Sequence, residues 1–331
     1  MSADKKATSI TNLPLIFQPI ESEMAEVENL INRKLSAADV AIRPIICNIM
    51  ACRGKRLRPA LLLLSAGCYG PIAAQHIGAA AAIELLHNAT LMHDDVIDDA
   101  IYRRDAVSVN KACGVDAAVL TGDFLFAVFA ELLAETQHPA ARRVLAAAVC
   151  RMCAGELAQM SRRGSMDVSE DDYLSIAEGK TASLIAAACE TGAVLSGSPV
   201  AAAHAEFGRN LGTAFQIIDD CLDLTGSECA AGKTLGSDLF KRRLTLPGIH
   251  LIAHAPSPCK TEAIRLLSAS TTMADRDSVA ALMAEHGSLD YALAHARRLV
   301  ASAKAAIEMV QPGPCKAALL TLADYILKRG S

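Results

Sequence analysis

Two aspartate clusters of the same form lie far apart in this chain: Asp94-Asp95-Val-Ile-Asp98 and Asp219-Asp220-Cys-Leu-Asp223. On a helix, positions i and i+4 share a face and i+1 flanks it, so each cluster can direct its carboxylates into one space. At about 4 Å and an effective dielectric near 20, each like-charge pair costs on the order of 4 kcal/mol. Carboxylates gathered in this way therefore require a cation. Because oxygen ligands favour hard divalent ions, and Mg²⁺ completes its shell with water and phosphates, the pair predicts a magnesium–diphosphate site between two helices.

A single cluster of this kind is more often a solvated helix end. The duplication weakens that interpretation, because both clusters follow strongly apolar stretches in which a charge would lie in a pocket or be buried.

The apolar residues before each cluster recur at helical spacing. Helices are predicted at 22–35, 78–98, 118–135, 142–159, 181–193 and 201–223, with a final amphipathic helix after an N-cap at Ser288. Gly and Pro predict short loops at 67–71, 164–165, 196–199, 226–236, 256–258 and 311–314. We therefore expect one all-α domain over residues 1–331, with residues 1–14 as a disordered tail and the acid clusters facing each other across a central cavity.

Composition supports that fold class and excludes several functions. Hydrophobic residues make up 52% of the 331 residues, with 4% aromatics and no Trp, which favours packed helices over a sheet. A net charge of −4 provides no basic field for nucleic acid. The uncharged run 59–83 contains Gly and Pro and predicts two helices, not an integral membrane segment. The N-terminus lacks a signal-peptide pattern, so a soluble, cytoplasmic protein is expected.

The eleven cysteines show no repeating interval. Cys150 and Cys153 are one helical turn apart, without a second pair to complete a zinc site, and are predicted to pack in the core. Free thiols fit a reducing cytoplasm.

Three groups of cations accompany the acids. They are Lys55, Arg56 and Arg58 in the string GKRLRP (54–59), Arg103-Arg104 after the first cluster, and Lys180 before an apolar stretch. Each could be a solvated basic loop. Arg and Lys near helix starts are also good phosphate ligands, which suits diphosphates held between the acid clusters.

With these strings in place, the chain resembles the trans-type (head-to-tail) isoprenyl diphosphate synthases, including the long-chain octaprenyl, solanesyl and decaprenyl enzymes. The resemblance runs from about residue 15 to residue 329. The matching strings are GKRLRP (54–59), ELLHNATLMHDDVIDD (84–99), RR (103–104), VN (109–110), AAVLTGDFLF (117–126), GELAQ (155–159), KTA (180–182), FGRNLGTAFQIIDDCLD (207–223), GKTLGSDL (232–239) and TLP (245–247).

The resemblance implies the type I isoprenoid synthase fold and a set of roles. Three Mg²⁺ ions, with Mn²⁺ as a possible substitute, are expected on the allylic diphosphate, bound by Asp94, Asp95, Asp98 and Asp219, with Asp220, Asp223 and Lys180 also catalytic. The allylic diphosphate would contact Arg103, Lys180, Thr181, Gln216, Lys233 and Arg243. Isopentenyl diphosphate would contact Lys55, Arg58, His87 and Arg104. The resemblance also implies roles in supporting or orienting the ligand residues, at His93, Asp123, Glu156 and Gln159.

The reaction implied is loss of diphosphate from an allylic substrate (dimethylallyl, geranyl or farnesyl) and attack on the cation by isopentenyl diphosphate. A homodimer is also expected, with an apolar surface on 118–135. Chain length should depend on Ala89, Thr90 and Leu86 on the helix before Asp94. Because Ala89 and Thr90 are small, a product of about C30–C50 for quinone side chains is expected.

The chain departs from the family pattern at Asp105, where Gly is usual, at Arg242-Arg243 in place of Gly-Lys, and at Arg53 in place of Gly. Three alternatives stay open: a short-chain (C15/C20) synthase, a class I terpene cyclase, and a non-catalytic synthase subunit.

Overall fold

The computed structural model describes residues 13–39, 42–43, 45–46, 54–103, 106–226, 236–269 and 272–329. Helices dominate these residues, so the predicted all-α class is confirmed. The first half contains α1 (Leu13–Phe17), a 3-10 turn (Gln18–Ile20), α2 (Glu21–Ser36), α3 (Leu57–Gly67), α4 (Ala74–Ile97), α5 (Val109–Ala112), α6 (Val115–Glu135) and α7 (Pro139–Ser161). The second half contains α8 (Glu170–Ala177), a π-helical turn (Glu178–Ala182), α9 (Ser183–Leu195), α10 (Ala201–Thr225), α11 (Ser237–Phe240), α12 (Leu246–His254), α13 (Ser257–Ala269), α14 (Met273–Glu285), α15 (Ser288–Ala306) and α16 (Pro314–Lys328).

The helices α3 and α9 form the centre of the bundle. Both are apolar around most of their circumference, as expected of a helix surrounded by other helices. α9 packs against α3, α7 and α10, and α4 packs against α3 and α6. The main core is continuous across these helices, and a second, smaller core joins α12, α13 and α14.

The acid clusters lie at the carboxyl ends of two long helices. α4 has 24 residues and ends beside the first cluster, and α10 has 25 residues and ends beside the second. The negative end of a helix dipole disfavours a carboxylate in the last turn, so this placement adds to the mutual repulsion of the acids. Cations must balance the charge at both helix ends.

Several details of the sequence prediction are wrong. Ser288 does not cap the last helix: Gly287, at φ 67°, is the N-cap of α15, Ser288 is its first residue, and α16 follows it. Pro258 lies inside α13, because proline is tolerated in the first turn of a helix. Cys150 and Cys153 are exposed on α7, not packed in the core.

Two smaller differences concern a pair of short strands and the start of the first helix. Tyr102–Arg103 pairs antiparallel with Ala106–Val107 as a short hairpin that was not predicted. Within the expected tail, residues 13 and 14 begin α1, and residues 1–12 lie outside the described residues.

One helix among the described residues, α6, is long and apolar enough to cross a membrane on length and composition alone. The core helix of a soluble protein meets the same criterion, so a single helix of this kind is weak evidence for a membrane span.

Candidate active site

The first acid cluster occupies the last turn of α4 and the residue after it. Asp95 is 1% exposed, and its Oδ1 accepts from Arg103 Nε at 2.8 Å, while its Oδ2 is buried with no hydrogen-bond partner. Burial raises the pKa of Asp94 to about 6, against the attraction of Lys180 and with added repulsion from Glu156. The cluster therefore contains one carboxyl that resists ionisation and one buried oxygen with unused bonding capacity.

Asp98 is the most heavily paired member of this cluster. Its Oδ1 accepts from Arg243 Nη2 at 2.6 Å, its Oδ2 lies 3.0 Å from Lys241 Nζ, and Arg163 Nη2 is 3.4 Å away. Burial alone would raise the pKa of Asp98, but Arg243 and Lys241 outweigh it and lower the pKa. These cations bring the turn before α12 against the end of α4.

The second cluster is divided among three environments. Asp219 Oδ1 lies 3.4 Å from Arg329 Nη2, and the Arg329 guanidinium lies over the Phe215 ring at 4.9 Å. Asp223 is 1% exposed and accepts from Ser237 Oγ at 3.2 Å and from the Asp238 N–H at 3.0 Å. The two hydrogen bonds of Asp223 hold α11 against the end of α10.

Asp220 is buried between neutral donors. Tyr173 OH donates to its Oδ2 at 2.6 Å, and Gln216 Nε2 donates to its Oδ1 at 2.7 Å. Burial and the repulsion of Asp238 raise the pKa of Asp220 well above its ordinary value, although both hydrogen bonds oppose the shift. This carboxyl therefore resists ionisation.

Lys180 and Thr181 lie in the π-helical turn between α8 and α9. Such turns are frequent at functional sites because they redirect side chains. Gly155 allows α7 to cross this turn closely, since a Cβ on Gly155 would clash with the backbone nitrogen of Lys180. The crossing brings Glu156 Oε2 to 2.6 Å and Gln159 Oε1 to 2.9 Å from Lys180 Nζ. Glu156 and Gln159 thus hold the Lys180 ammonium in place.

A cleft beside the second cluster is lined by residues of α7, α8, the π-helical turn, the end of α10 and the turn before α12. Its polar lining combines cations with hydrogen-bonding groups, and several of these contact a cluster directly. Arg243 reaches Asp98, and Tyr173 and Gln216 reach Asp220. Its lining includes Gln159, Tyr173, Lys180, Gln216, Asp220 and Arg243. Thr181 Oγ1 donates to Gln216 Oε1 at 2.6 Å at the edge of this group.

The basic string before α3 contains one residue, Arg56, that holds the loop in place. Arg56 has a left-handed backbone (φ 51°) and pairs with Glu28 and with the buried Glu84, each at 2.6 Å. Lys55 lies 5.9 Å from the centre of the Tyr325 ring. Arg58 is the second residue of α3, and its Nε is buried. Arg56 therefore fixes the loop that presents its two neighbours, a role that the sequence did not predict.

Other predicted site residues take the following positions. His87 lies half-buried on α4, about two turns before Asp94. His93 Nε2 lies 3.4 Å from Asp123 Oδ1. On the expected chain-length wall, Ala89 and Leu86 are buried and Thr90 Oγ1 donates to the His87 carbonyl at 2.8 Å.

Some predicted positions lie outside the described residues: Arg53, Arg104, Asp105 and Lys233.

The donor set suits a hard divalent ion, but the ligands are not gathered in advance. Within residues 13–329, gaps excepted, no three His, Cys, Asp or Glu side chains are grouped to hold a metal. Asp95, Asp98 and Asp219 face guanidinium groups instead. The buried, unpartnered Asp95 Oδ2 and the all-oxygen donor set nevertheless fit Mg²⁺. Carboxylates paired with mobile cations can be released to a metal when an anion draws those cations away.

The sequence interpretation missed Tyr173, Lys241, Arg163 and Arg329, all of which contact an acid cluster. Lys241 adjoins the recognised Arg242-Arg243 pair and could have been included by charge alone. Tyr173 carried no signal, because a Tyr in a short helix is ordinarily a packing residue.

Comparison with known proteins identifies the family. The polyprenyl synthetase family model matches residues 40–285. All-trans-nonaprenyl-diphosphate synthase (geranyl-diphosphate specific) of Rhodobacter capsulatus is 32% identical over 316 residues, covering 95% of this chain and 97% of the relative. Short chain isoprenyl diphosphate synthase of Methanothermobacter thermautotrophicus is 32% identical over 324 residues, covering 92% and 99%. Polyprenyl synthase from Caulobacter crescentus, crystallised with calcium and isoprenyl diphosphate, gives a TM-score of 0.92 at 36% identity, covering 97% of this chain and 98% of that one.

The chain therefore belongs to the polyprenyl synthetase family. It is a prenyltransferase of the polyprenyl diphosphate synthase class, whose metal-dependent members join isopentenyl diphosphate to an allylic diphosphate.

Proposed function

We propose that this enzyme elongates an allylic diphosphate by successive head-to-tail addition of isopentenyl diphosphate, with Mg²⁺ as its metal and a product of about C30–C50. The observation that carries the reaction is the cleft at the second acid cluster, one of whose lining residues, Arg243, also pairs with Asp98 of the first cluster. Lys180 and Arg243 line the cleft with positive charge. A site that combines carboxylates and cations in one cleft suits a metal–diphosphate complex.

We assign the metal to Asp94, Asp95, Asp98 and Asp219, which offer only oxygen donors. When bound there, Mg²⁺ would neutralise the diphosphate and stabilise the negative charge that develops on its leaving oxygen. Arg103 and Arg243 can then transfer from carboxylates to diphosphate oxygens, since a guanidinium binds either anion with two parallel N–H groups. The same exchange would free Asp95 and Asp98.

The chain's own residues would bind and orient the allylic diphosphate. Lys180 is fixed by Glu156 and Gln159 so that its ammonium lies at the cleft, and Thr181 and Gln216 supply neutral hydrogen bonds beside it. Donors fixed before the reaction stabilise developing charge without reorganisation. The allylic C–O bond breaks with its electron pair going to the diphosphate.

Isopentenyl diphosphate would bind Lys55, Arg58 and His87, with Arg104 and, for the allylic group, Lys233 as further ligands from outside the described residues. Its double bond supplies the electron pair of the new C–C bond, and the proton lost afterwards passes to the departed diphosphate. The apolar wall of α4 behind Asp94 excludes water from the cation.

The long-chain product is proposed from the small side chains of Ala89 and Thr90, because a bulky residue at this level of α4 would leave less room for a growing chain. Leu86 forms the next level. Relatives named for short-chain and for nonaprenyl products are equally similar at 32% identity, so a C15 or C20 product is the competing proposal.

We also propose a cytoplasmic homodimer whose product serves as a quinone side chain. Val115, Leu120 and Phe126 on α6 are 53%, 67% and 42% exposed, and Tyr102 of the hairpin is 57% exposed. An apolar face of this extent suits a second copy of the chain.

One experiment tests the reaction and its alternatives. The purified chain is incubated with farnesyl diphosphate, isopentenyl diphosphate and Mg²⁺, and product masses are measured. We expect a ladder of products separated by one C5 unit, no products in EDTA, and none from Asp219→Asn. Equal consumption of farnesyl diphosphate without isopentenyl diphosphate would indicate a cyclase. An inactive pure chain would indicate a subunit that needs a catalytic partner.

A further inference from the structure

Tyr173 provides a direct contact between helix α8 and the second acid cluster. Its side chain is buried, at 6% exposure, and its hydroxyl donates to Asp220 Oδ2 at 2.6 Å. Burial, followed by the neighbouring Asp220 charge, raises the pKa of Tyr173 well above its ordinary value. The hydroxyl therefore stays protonated and acts as a donor.

The other oxygen of Asp220 is bound just as closely. Gln216 Nε2 donates to Oδ1 at 2.7 Å, and Gln216 Oε1 accepts from Thr181 Oγ1 at 2.6 Å. Thr181 thus donates to Gln216, and Gln216 donates to one oxygen of the Asp220 carboxyl. Tyr173 donates to the other oxygen. Thr181 adjoins Lys180, so this network extends from the second acid cluster to the π-helical turn.

Helix α8 is itself fixed in place, which makes Tyr173 a firm anchor. Ser169 and Asp172 form a capping box at its start, with Ser169 Oγ accepting from the Asp172 N–H at 3.1 Å. Glu170 accepts from Tyr291 OH of α15 at 2.7 Å. A short helix held at its first turn in this way presents Tyr173 at a defined position.

We infer that Tyr173 is a positioning residue for the metal–diphosphate site. It fixes the orientation of Asp220 at the wall of the cleft, and through Asp220 it orients Gln216 toward Thr181 and the diphosphate. The inference rests on the proposed function of the acid clusters. Tyr173 is not a catalytic residue, because it acts through Asp220 and Gln216.

The test compares Tyr173→Phe with Tyr291→Phe. Each variant removes one tyrosine hydroxyl that donates to a carboxylate. Tyr173 of α8 donates to Asp220 at the cleft, whereas Tyr291 of α15 donates to Glu170 of α8, outside the cleft. Bound Mn²⁺ is counted by electron paramagnetic resonance in the presence of inorganic diphosphate, so that the readout does not depend on turnover. Kinetics give KM for farnesyl diphosphate and for isopentenyl diphosphate separately from kcat, and circular dichroism gives the unfolding temperature.

For Tyr173→Phe we expect a rise of about tenfold in the half-saturating Mn²⁺ concentration and in KM for farnesyl diphosphate, the scale of one buried hydrogen bond. KM for isopentenyl diphosphate should not change. Tyr291→Phe should leave Mn²⁺ binding and both KM values at the wild-type level, because the capping box of Ser169 and Asp172 still holds the first turn of α8. In an Asp220→Asn background, Tyr173→Phe should have no further effect on Mn²⁺ binding, because both changes act on one group.

Three results would overturn the inference. They are unchanged Mn²⁺ binding in Tyr173→Phe, equal losses in Tyr291→Phe, and additive losses in the double variant. The first, combined with a lower unfolding temperature, would show that Tyr173 is only a packing residue. If the wild type itself failed to bind Mn²⁺ with diphosphate, the proposed function would fall, and this inference with it.

Discussion

Arg243 Nη2 lies 2.6 Å from Asp98 Oδ1, and Arg243 Nη1 lies 3.3 Å from Asp98 Oδ2. This two-point contact joins the turn before α12 to the end of α4, across 145 residues of sequence. Both side chains are largely buried, at 9% and 11% exposure. The family pattern usually has Lys at this position, and a Lys would supply one point charge where Arg243 supplies a fork.

Arg243→Ala should lower kcat/KM for the allylic diphosphate by about 10–100-fold, the equivalent of one charge-assisted hydrogen bond of about 1.5–3 kcal/mol. Arg243→Lys should retain most of the activity. Steady-state kinetics with farnesyl diphosphate as the varied substrate measure both effects.

The control for Arg243 is its neighbour. Arg242 is exposed and has a left-handed backbone, with φ 54°, where the family usually has Gly. Arg242→Gly removes a cation from the same turn and should leave kcat/KM unchanged. An equal loss in both variants would mean that the net charge of the turn matters, not the contact with Asp98.

Arg56 supports a second prediction, about stability. Its guanidinium pairs with Glu84, which is 2% exposed, and with Glu28. Arg56→Gln leaves the buried Glu84 carboxylate without its cation and should lower the free energy of unfolding by about 3–5 kcal/mol, as measured in urea. The added change Glu84→Gln should restore much of the loss. If the double variant were no more stable than the single one, the ion pair would not be the cause.

How far the sequence predicted the site depends on how local each feature is. The helix before Asp94 was predicted at 78–98 and is found at Ala74–Ile97, because apolar periodicity is a local signal. Asp98 was recognised from its motif, but its pairing with Arg243 and Lys241 was not, since residues so far apart in sequence meet only through tertiary packing. The assigned metal and substrate roles stay predictions.

Two wrong predictions, the N-cap at Ser288 and the burial of Cys150 and Cys153, each have a physical cause. Ser288 has the residue type of an N-cap, but Gly287 before it adopts the left-handed conformation and takes that position. Ser288 is instead buried, with its Oγ 3.0 Å from His250 Nδ1. The exposure of Cys150 and Cys153 reflects which face of α7 packs on the bundle, and an Ala-rich helix does not specify that face.

Asp94 supports a prediction about pH. Its folded-state pKa of about 6 exceeds the ordinary value of 3.8, so the folded protein binds this proton more tightly than the unfolded chain. That stabilising contribution is complete below about pH 4 and is lost as pH rises through about 6. In EDTA, the free energy of unfolding of wild type should therefore fall relative to Asp94→Asn over this range, by up to about 3 kcal/mol.

Urea unfolding at pH 4 and at pH 7.5 measures the difference. Asp99→Asn is the control, because Asp99 is 81% exposed and pairs with Lys111 at the surface. A constant difference between wild type and Asp94→Asn at both pH values would contradict the raised pKa.

The apolar face on α6 predicts the oligomeric state. Light scattering should give about twice the chain mass of 34.8 kDa for wild type. Leu120→Glu places a charge at a 67%-exposed position on this face and should shift the protein to monomer. Met309→Glu, at an equally exposed position after α15, should stay dimeric. A dimeric Leu120→Glu would move the interface elsewhere.

Ala89 gives the prediction for product length. It is buried on α4, five residues before Asp94, and about 7–8 Å from it along the helix axis. A Phe at this position would project into the space that a growing chain needs, because the surrounding core is closely packed and yields little. Ala89→Phe should therefore shift the products of farnesyl and isopentenyl diphosphates to shorter chains, with the first condensation little affected.

Ala202→Phe, at an exposed position in the first turn of α10, should leave the lengths unchanged. Chain lengths are read from product masses after exhaustive elongation. If Ala89→Phe produced the same lengths as wild type, the product would follow another wall, and the argument for a C30–C50 chain from Ala89 and Thr90 would be wrong.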